Sequence, residues 1–204
     1  MGGYMNRETI RGYALGEVVS ALQKAIRRGQ VKEAAWWAAE LEQSGHGAHC
    51  WNRMVVITSE DVGLAWPEGP SVIRALKASY DEAAARRNPS RPERLFIIHA
   101  AVALAHAPKS RWVDHAVWAS FGYDDQQHPI PDEALDLHTA RGRQMGRGED
   151  HWFKHAAVLV GEAELGDDPF FEKMKVSSEE AFARQWSAGR AAQPPTAQQG
   201  MFEA

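Results

Sequence analysis

Few residues of this 204-residue chain have the types and spacing that enzyme catalysis requires. A phosphate-binding loop of the form G-x-x-x-x-G-K-[ST] uses backbone amides and one lysine to neutralise nucleotide phosphates. Lys109-Ser110 matches only its last two positions and follows a proline instead of a glycine-rich turn. No G-x-S-x-G elbow occurs, and the single cysteine, Cys50, lies beside Trp51 in an apolar segment, which is typical of a packed thiol. We therefore predict no cofactor and no independent ATP hydrolysis.

One pair of histidines has the spacing of metal ligands. His151 and His155 stand four residues apart, which places two imidazoles on one face of a helix. Trp152 occupies the position of the catalytic glutamate of H-E-x-x-H, so this pattern excludes a metalloprotease of that kind. A structural metal bound by these two side chains plus His46 or His49 is one interpretation, and surface or partly packed histidines are the simpler one. The sequence therefore predicts no metal site.

The most basic stretch of the chain is segment 138–148, which contains three arginines. Arg141 falls on the inward stripe of its predicted helix, so it needs a buried or interfacial anionic partner. Glu60 and Asp61, at the end of the third predicted helix, are the candidate carboxylates. A phosphate group is the alternative partner.

The other basic side chains suggest a surface site. Arg143 and Arg147 are expected to point to solvent, and together with Lys109, Arg111 and Arg141 they predict a local site for the phosphate backbone of DNA. The full chain has 23 Lys and Arg against 27 Asp and Glu, a net charge of −4, which opposes tight binding. We therefore expect weak, salt-sensitive binding. Structural ion pairing of the same arginines is the competing interpretation.

The elements that must position these residues are helices. Apolar residues make up 44% of the chain and recur with helical spacing, which predicts an all-α fold. The sequence predicts one compact bundle of about eight helices over 1–186 and a flexible, Pro-containing tail over 187–204. The single cysteine and the absence of a long apolar run predict a cytoplasmic protein with no membrane contact. The predicted helices cover approximately 17–28, 31–44, 51–62, 71–86, 95–107, 112–122, 132–145 and 150–163.

Two of these helices carry detailed expectations. Ser71 is the predicted N-cap of the fourth helix. The fifth helix is the most apolar and is expected to end before Pro108. Its histidines, His99 and His106, are expected to lie in the core or in an interface. The predicted inward stripe of this helix is Leu95, Ile98, His99, Val102 and His106.

Four stretches of sequence resemble one known family. The runs 21–27 and 33–41 resemble the opening of the C-terminal region of the replication-associated recombination protein A family. Members of this family are clamp-loader-like AAA+ ATPases, also called maintenance of genome stability proteins and related to the Werner-helicase-interacting protein. The blocks 58–65 (TSEDVGLA) and 103–110 (ALAHAPKS) are similar to its "SEDVGLA" helix end and its "LALAPKS" turn. The resemblance covers about residues 17–122, and block 132–148 departs from the family pattern.

The resemblance implies a fold and a role. In the family this region is helical and mediates homotetramer formation, while the AAA+ module handles ATP and DNA ends. The chain is therefore expected to be a non-enzymatic accessory protein of DNA replication, recombination or repair that self-associates without an ATPase module. A stand-alone copy of this kind fits a phage or bacterial mobile element. The eight tryptophans also favour an interface.

Two other functions stay open. One is an enzyme that acts on nucleotides or nucleic acid, with Glu60, Asp61, Lys109 and Arg141 converging on a phosphate-bearing substrate. The other is a regulator that co-assembles with a host AAA+ ATPase of the same family through matching C-terminal surfaces.

The end of the chain suggests a further partner. Gln198, Met201 and Phe202 fit the pattern Q-x-x-[LM]-F, which is similar to the peptide by which bacterial replication proteins dock on the β sliding clamp. Met201 and Phe202 can enter an apolar pocket while the amide of Gln198 fixes the register by hydrogen bonds. The sequence therefore predicts a clamp-binding peptide at the C-terminal end of a flexible linker.

Overall fold

The computed structural model describes residues 7–122, 127–163, 166–170 and 173–174. Their regular structure is helical, apart from one isolated bridge that pairs Glu8 with Ala14. Eight α-helical segments are present in these ranges, so the predicted all-α fold is confirmed. The predicted tail, 187–204, lies outside the described residues.

The chain divides into two compact units, Met1–Gln126 and Gln127–Ala204, where the sequence predicted one helical domain over 1–186. The first unit contains the α-helices α1 (Leu15–Arg27), α2 (Val31–Gln43), α3 (Gly47–Ile57), α4 (Gly69–Ala85), α5 (Glu93–His106) and α6 (Trp112–Gly122). Helix α3 continues into a π turn (Thr58–Val62) and a 3-10 turn (Gly63–Ala65). The helices predicted at 17–28, 31–44 and 112–122 therefore agree with the structure to within about two residues at each end.

Helix α5 lies at the centre of the first unit. It packs along α2 and α4 and also contacts α1 and α3. Trp51 is fully buried, and its ring meets Tyr80 edge-to-face with centroids 5.4 Å apart. The largest apolar side chains of this core are Leu15, Leu22, Ile26, Leu41, Trp51, Met54, Ile57, Ile73, Ile97 and Leu104.

The predicted inward stripe of α5 is wrong at three of its five positions, whereas Ile98 is partly buried against the core. Leu95 is 70% exposed, and His99 and His106 are also exposed, so neither histidine is a core residue. Because α5 is apolar on all sides, its periodicity does not single out one face. The small residues Ala100 and Ala101 allow neighbouring helices to approach closely, which fixes the face that is buried. The buried residues of α5 are Glu93, Ile97, Ala100, Ala101, Leu104 and Ala105.

Helix α4 also begins earlier than predicted. Its N-cap is Glu68, and Pro70 lies in its first turn. Proline is favoured there because the first amides of a helix need no partner within the helix. Ser71 therefore lies inside α4 and is not its cap.

The second unit contains a 3-10 turn (Asp132–Ala134), α7 (Ala140–Gln144), and α8 (Glu149–His151), which runs into a π turn (Trp152–Ala156). The continuous helix predicted over 132–145 is wrong, because the Thr139 side chain caps α7 by accepting the Gly142 amide at 3.0 Å. The helix predicted over 150–163 ends at Ala156. Beyond it, Leu159 and Val160 are exposed, so no buried apolar face supports another turn.

Within the described ranges, no helix combines the length and the apolar character that crossing a membrane requires.

Candidate assembly surface

The two sequence blocks 58–65 and 103–110 meet in the structure and join α3 to the loop before α6. The amide of Ser110 donates to the carbonyl of Asp61 at 3.0 Å. Gly63 has a φ of +51°, and a Cβ there would lie 3.0 Å from the carbonyl oxygen of Ser110. Both the left-handed backbone and the close approach favour glycine. We call this contact between the two blocks the joint.

A buried carboxylate fixes the joint to α1. The side chain of Asp61 is fully buried and accepts from Arg27 Nε at 2.5 Å and from Gln23 Nε2 at 2.9 Å. Glu60 accepts from Arg27 Nη2 at 3.1 Å. The hydrogen bond to Asp61 raises the pKa of Arg27 above its usual value, against the opposing effect of burial.

Within the first unit the partner of these two acids is Arg27, whereas the sequence expectation was Arg141. Arg141 lies on α7 with an exposed side chain, so its predicted inward position is wrong. The five-residue helix α7 has no long stripe that could direct Arg141 inward.

Lys109 and Arg111 complete the connection between α5 and α6. Lys109 Nζ donates to the carbonyl of Ala105 at 3.0 Å and also to that of Ala107, so it satisfies the last carbonyls of α5. Burial lowers the pKa of Lys109, and the nearby charge of Asp61 opposes this shift. Arg111 forms an ion pair with Asp114 in the first turn of α6.

Helix α6 presents apolar side chains to solvent. None of its residues is buried, although it packs against the π turn and the 3-10 turn of the joint. Trp112 is 72% exposed, Trp118 60% and Phe121 88%. Trp112, His115, Ala116 and Ala119 line one side of α6, at an open depression of about 480 Å³. We call the exposed apolar side chains Trp112, Val117, Trp118 and Phe121 the α6 surface.

The family model described as "MgsA AAA+ ATPase C terminal" matches residues 29–189. The chain belongs to this family. The matched range runs through 132–148, the segment where a departure from the family pattern was expected. It also includes α6 and the joint, and the resemblance found in the two sequence blocks is confirmed.

Curated relatives support the same assignment. Replication-associated recombination protein A of Bacillus subtilis is 29% identical over 147 residues, 71% of this chain and 34% of its own length. The protein of the same name from Escherichia coli K12 is 32% identical over 150 residues, 71% of this chain and 32% of its own length. ATPase WRNIP1 of Dictyostelium discoideum is 29% identical over 164 residues, 76% of this chain and 18% of its own length. The chain thus spans about a third or less of the length of these relatives.

Two arginines of the second unit, Arg143 and Arg147, bind the backbone of that unit. Arg143 Nη1 donates to the carbonyls of Leu137 and His138 at 3.1 and 3.0 Å. Arg147 donates to the carbonyls of Asp132 and Leu135 at 2.6 and 2.9 Å and forms an ion pair with the Asp132 carboxylate. The Arg147 side chain is only 15% exposed, so the expectation that it points to solvent is wrong. Phosphate binding by this group of arginines stays a prediction.

The histidines and the cysteine complete the survey of predicted sites. The rings of His151 and His155 lie with centroids 4.9 Å apart. Across the part of the chain that the structure describes, no three His, Cys, Asp or Glu side chains are grouped to hold a metal. Cys50 is buried, and burial raises the pKa of its thiol far above the usual value. Gln198, Met201 and Phe202 lie outside the described residues.

Sequence reasoning missed Arg27 and Gln23. The signal was available, because these residues stand four apart on α1 and therefore share one helix face. A buried carboxylate such as Asp61 needs a basic or amide partner. Arg27 lies at the end of the first family-like block, 21–27, and was available for that role.

Proposed function

We propose that this chain is a non-enzymatic assembly module of DNA replication or recombination, and that it self-associates through the α6 surface into a homo-oligomer, a tetramer. The observation that carries this proposal is α6, an apolar helix with no buried residue. A role in replication or recombination is taken from the names of the relatives in Bacillus subtilis and Escherichia coli. We take nothing else from these relatives, because the chain spans only about a third of their length.

The area available at α6 supports an interface. Aromatic side chains bury roughly 150–250 Å² each, so Trp112, Trp118 and Phe121 at their observed exposures offer roughly 300–550 Å² per copy. A standard interface buries about 800 Å² per partner, so these three residues would supply its apolar centre. Leu64, in the adjacent 3-10 turn, is 61% exposed and extends the patch.

The two sides of α6 differ, and this difference favours a closed ring. Trp118 and Phe121 project from one side, while the depression beside Ala116 and Ala119 lies on another. An aromatic side chain of one copy that fills the depression of the next makes a heterologous contact. Such contacts generate closed rings when the rotation between copies permits it, which suits a tetramer.

The internal hydrogen bonds of the joint argue against the enzyme alternative. Asp61 and Glu60 bind Arg27, and Lys109 caps α5, so their polar atoms serve the fold. An ATPase, nuclease and phosphatase panel on the purified protein tests this alternative, and turnover that Lys109→Ala abolishes would favour the enzyme.

Light scattering tests self-association. We expect the wild-type protein to have an oligomeric mass at micromolar concentration, and Trp118→Ala plus Phe121→Ala to be a monomer. Because neither side chain is buried, the helix content of this variant should be unchanged in circular dichroism. Leu95→Ala, which removes another exposed apolar side chain, is the matched control and should retain the oligomeric mass. A monomeric wild type, or a double variant of unchanged mass, would overturn the proposal.

The C-terminal peptide is the proposed route to a replication partner. Its support is the pattern Q-x-x-[LM]-F at Gln198, Met201 and Phe202. We expect the full chain to bind a bacterial β sliding clamp and Met201→Ala plus Phe202→Ala to lose this binding. Equal binding by both proteins would refute the peptide's role. Capture of a host AAA+ ATPase of the same family that depends on Trp118 and Phe121 would favour co-assembly over self-association.

A further inference from the structure

The loop between α4 and α5 concentrates positive charge on an otherwise acidic chain. Residues 86–94, with the sequence RRNPSRPER, contain four arginines and one glutamate, whereas the whole chain has a net charge of −4. This segment carries no large apolar side chain. We call residues 86–94, which include the first two residues of α5, the arginine loop.

One arginine fastens this loop to the bundle. Arg91 Nη2 lies 3.2 Å from Glu42 Oε1 at the end of α2, and Arg91 Nε pairs with Glu93. Both carboxylate side chains are at least 95% buried. The hydroxyl of Tyr80 on α4 donates to Glu42 Oε2 at 2.7 Å. The base of the arginine loop is therefore held by α2, α4 and α5 together.

The other three arginines face solvent. Arg86 pairs with Glu82, but both side chains are 70% exposed, and exposed pairs of this kind are weak. The side chains of Arg87 and Arg94 are exposed and make no hydrogen bond or salt bridge with any residue that the structure describes. The three guanidinium groups therefore project from an anchored segment and make few contacts with the rest of the protein.

Two residues of the loop have a left-handed backbone that the fold itself holds. Arg87 has a φ of +50° and Arg91 a φ of +52°, in the left-handed region that favours glycine or asparagine. The ion pairs of Arg91 with Glu42 and Glu93 offset this strain. Arg87 directly follows the C-cap of α4, and its amide donates to the Ala84 carbonyl at 3.1 Å, so its left-handed backbone closes the helix while its side chain stays exposed.

We propose that Arg86, Arg87 and Arg94 bind the phosphate backbone of a nucleic acid. Guanidinium groups bind phosphate oxygens with two parallel hydrogen bonds. Contacts with a nucleic-acid backbone need cations and polar donors, whereas protein interfaces depend on apolar anchors, which the arginine loop lacks. The side-chain oxygen of Asn88, Oδ1, accepts hydrogen bonds from the amide and the hydroxyl of Ser90. The side-chain NH₂ group of Asn88 is therefore a further donor to phosphate.

Fluorescence anisotropy with labelled single-stranded and duplex DNA between 50 and 200 mM salt tests the proposal. The test protein carries Arg86→Gln, Arg87→Gly and Arg94→Gln in the full chain. Glycine suits the positive φ at position 87, so folding should be retained, which thermal melting checks. We expect at least about a tenfold loss of affinity at 100 mM salt. The slope of log K against log salt should fall by about 2 for the single strand and about 3 for the duplex.

Two controls make the outcome decisive. Arg74→Gln removes an exposed arginine from α4 outside the loop and should change affinity less than twofold. Arg87→Gly alone should reduce the slope by about 1. The proposal is overturned if the triple variant behaves like Arg74→Gln, if the wild type does not bind DNA at 50 mM salt, or if polyglutamate binds the loop more tightly than DNA does.

Discussion

Replacing Asp61 with alanine removes the carboxylate that ties the joint to α1. Asp61 is fully buried and accepts hydrogen bonds from Arg27 at 2.5 Å and from Gln23 at 2.9 Å. Removing one partner of a buried ion pair costs about 3–5 kcal/mol. Because the Arg27 side chain is 31% exposed and can regain water, we expect a smaller decrease in the free energy of unfolding. Our expected value is about 2–3 kcal/mol.

Urea and thermal unfolding measure this loss. For a chain of this size the expected decrease in Tm is about 4–12 °C. Asp81→Ala is the matched control, because Asp81 pairs with Lys77 on the exposed face of α4 and should cost under about 0.5 kcal/mol. Asp61→Asn keeps one acceptor oxygen and should fall between the two variants. A loss for Asp61→Ala that equals the control would refute the view that this carboxylate holds the joint.

Three further predictions concern the rest of the chain. A Cβ at Gly142 would lie 1.9 Å from the carbonyl oxygen of Asp136, so Gly142→Ala should destabilise the second unit by about 1–3 kcal/mol or more. Hydrogen exchange of residues 132–147 measures this loss, and Gly148→Ala, which has open space around it, should not cause it. Burial raises the pKa of the Cys50 thiol, so iodoacetamide at pH 8 should modify it only in urea, as mass spectrometry would show; rapid native labelling would contradict this. Burial alone would raise the pKa of Glu40, but hydrogen bonds from Thr9 and Arg11 outweigh this effect and lower the pKa below 4.5. The stability that the Glu40 carboxylate contributes is therefore present above pH 4.5 and is lost as the pH falls through its pKa in the folded protein. Glu40→Gln should flatten that part of the pH profile of urea unfolding.

The sequence predicts the helices of the first unit well where turn chemistry marks their ends. Gly29 and Gly45 end α1 and α2, and both have positive φ angles in the structure. Pro108 follows α5 closely, as expected for a residue that cannot continue a helix. The buried face of α5 could not be predicted, because an apolar helix gives periodicity no contrast.

The second unit was harder to predict because its structure depends on backbone contacts. Arg147 binds the carbonyls of Asp132 and Leu135, and Gly142 packs directly on the Asp136 carbonyl. Helical periodicity does not encode such contacts. The family-like blocks 58–65 and 103–110 indicated the position of the joint, while the partner of its carboxylate, Arg27, comes from a helix more than thirty residues earlier.

Because α3 ends in a π turn, the number of residues between Met54 and Gly63 matters to the joint as much as their identity does. A π turn spreads its residues over a wider turn than an α-helix does, and each α-helical residue advances the chain by about 100°. Deleting one residue between Met54 and Gly63 would remove the wide turn and would change the position of Asp61 relative to Arg27. We therefore expect a substitution at an exposed position such as Val55 to leave the joint intact, and a single-residue deletion in this segment to weaken the Asp61–Arg27 contact that fixes the joint to α1.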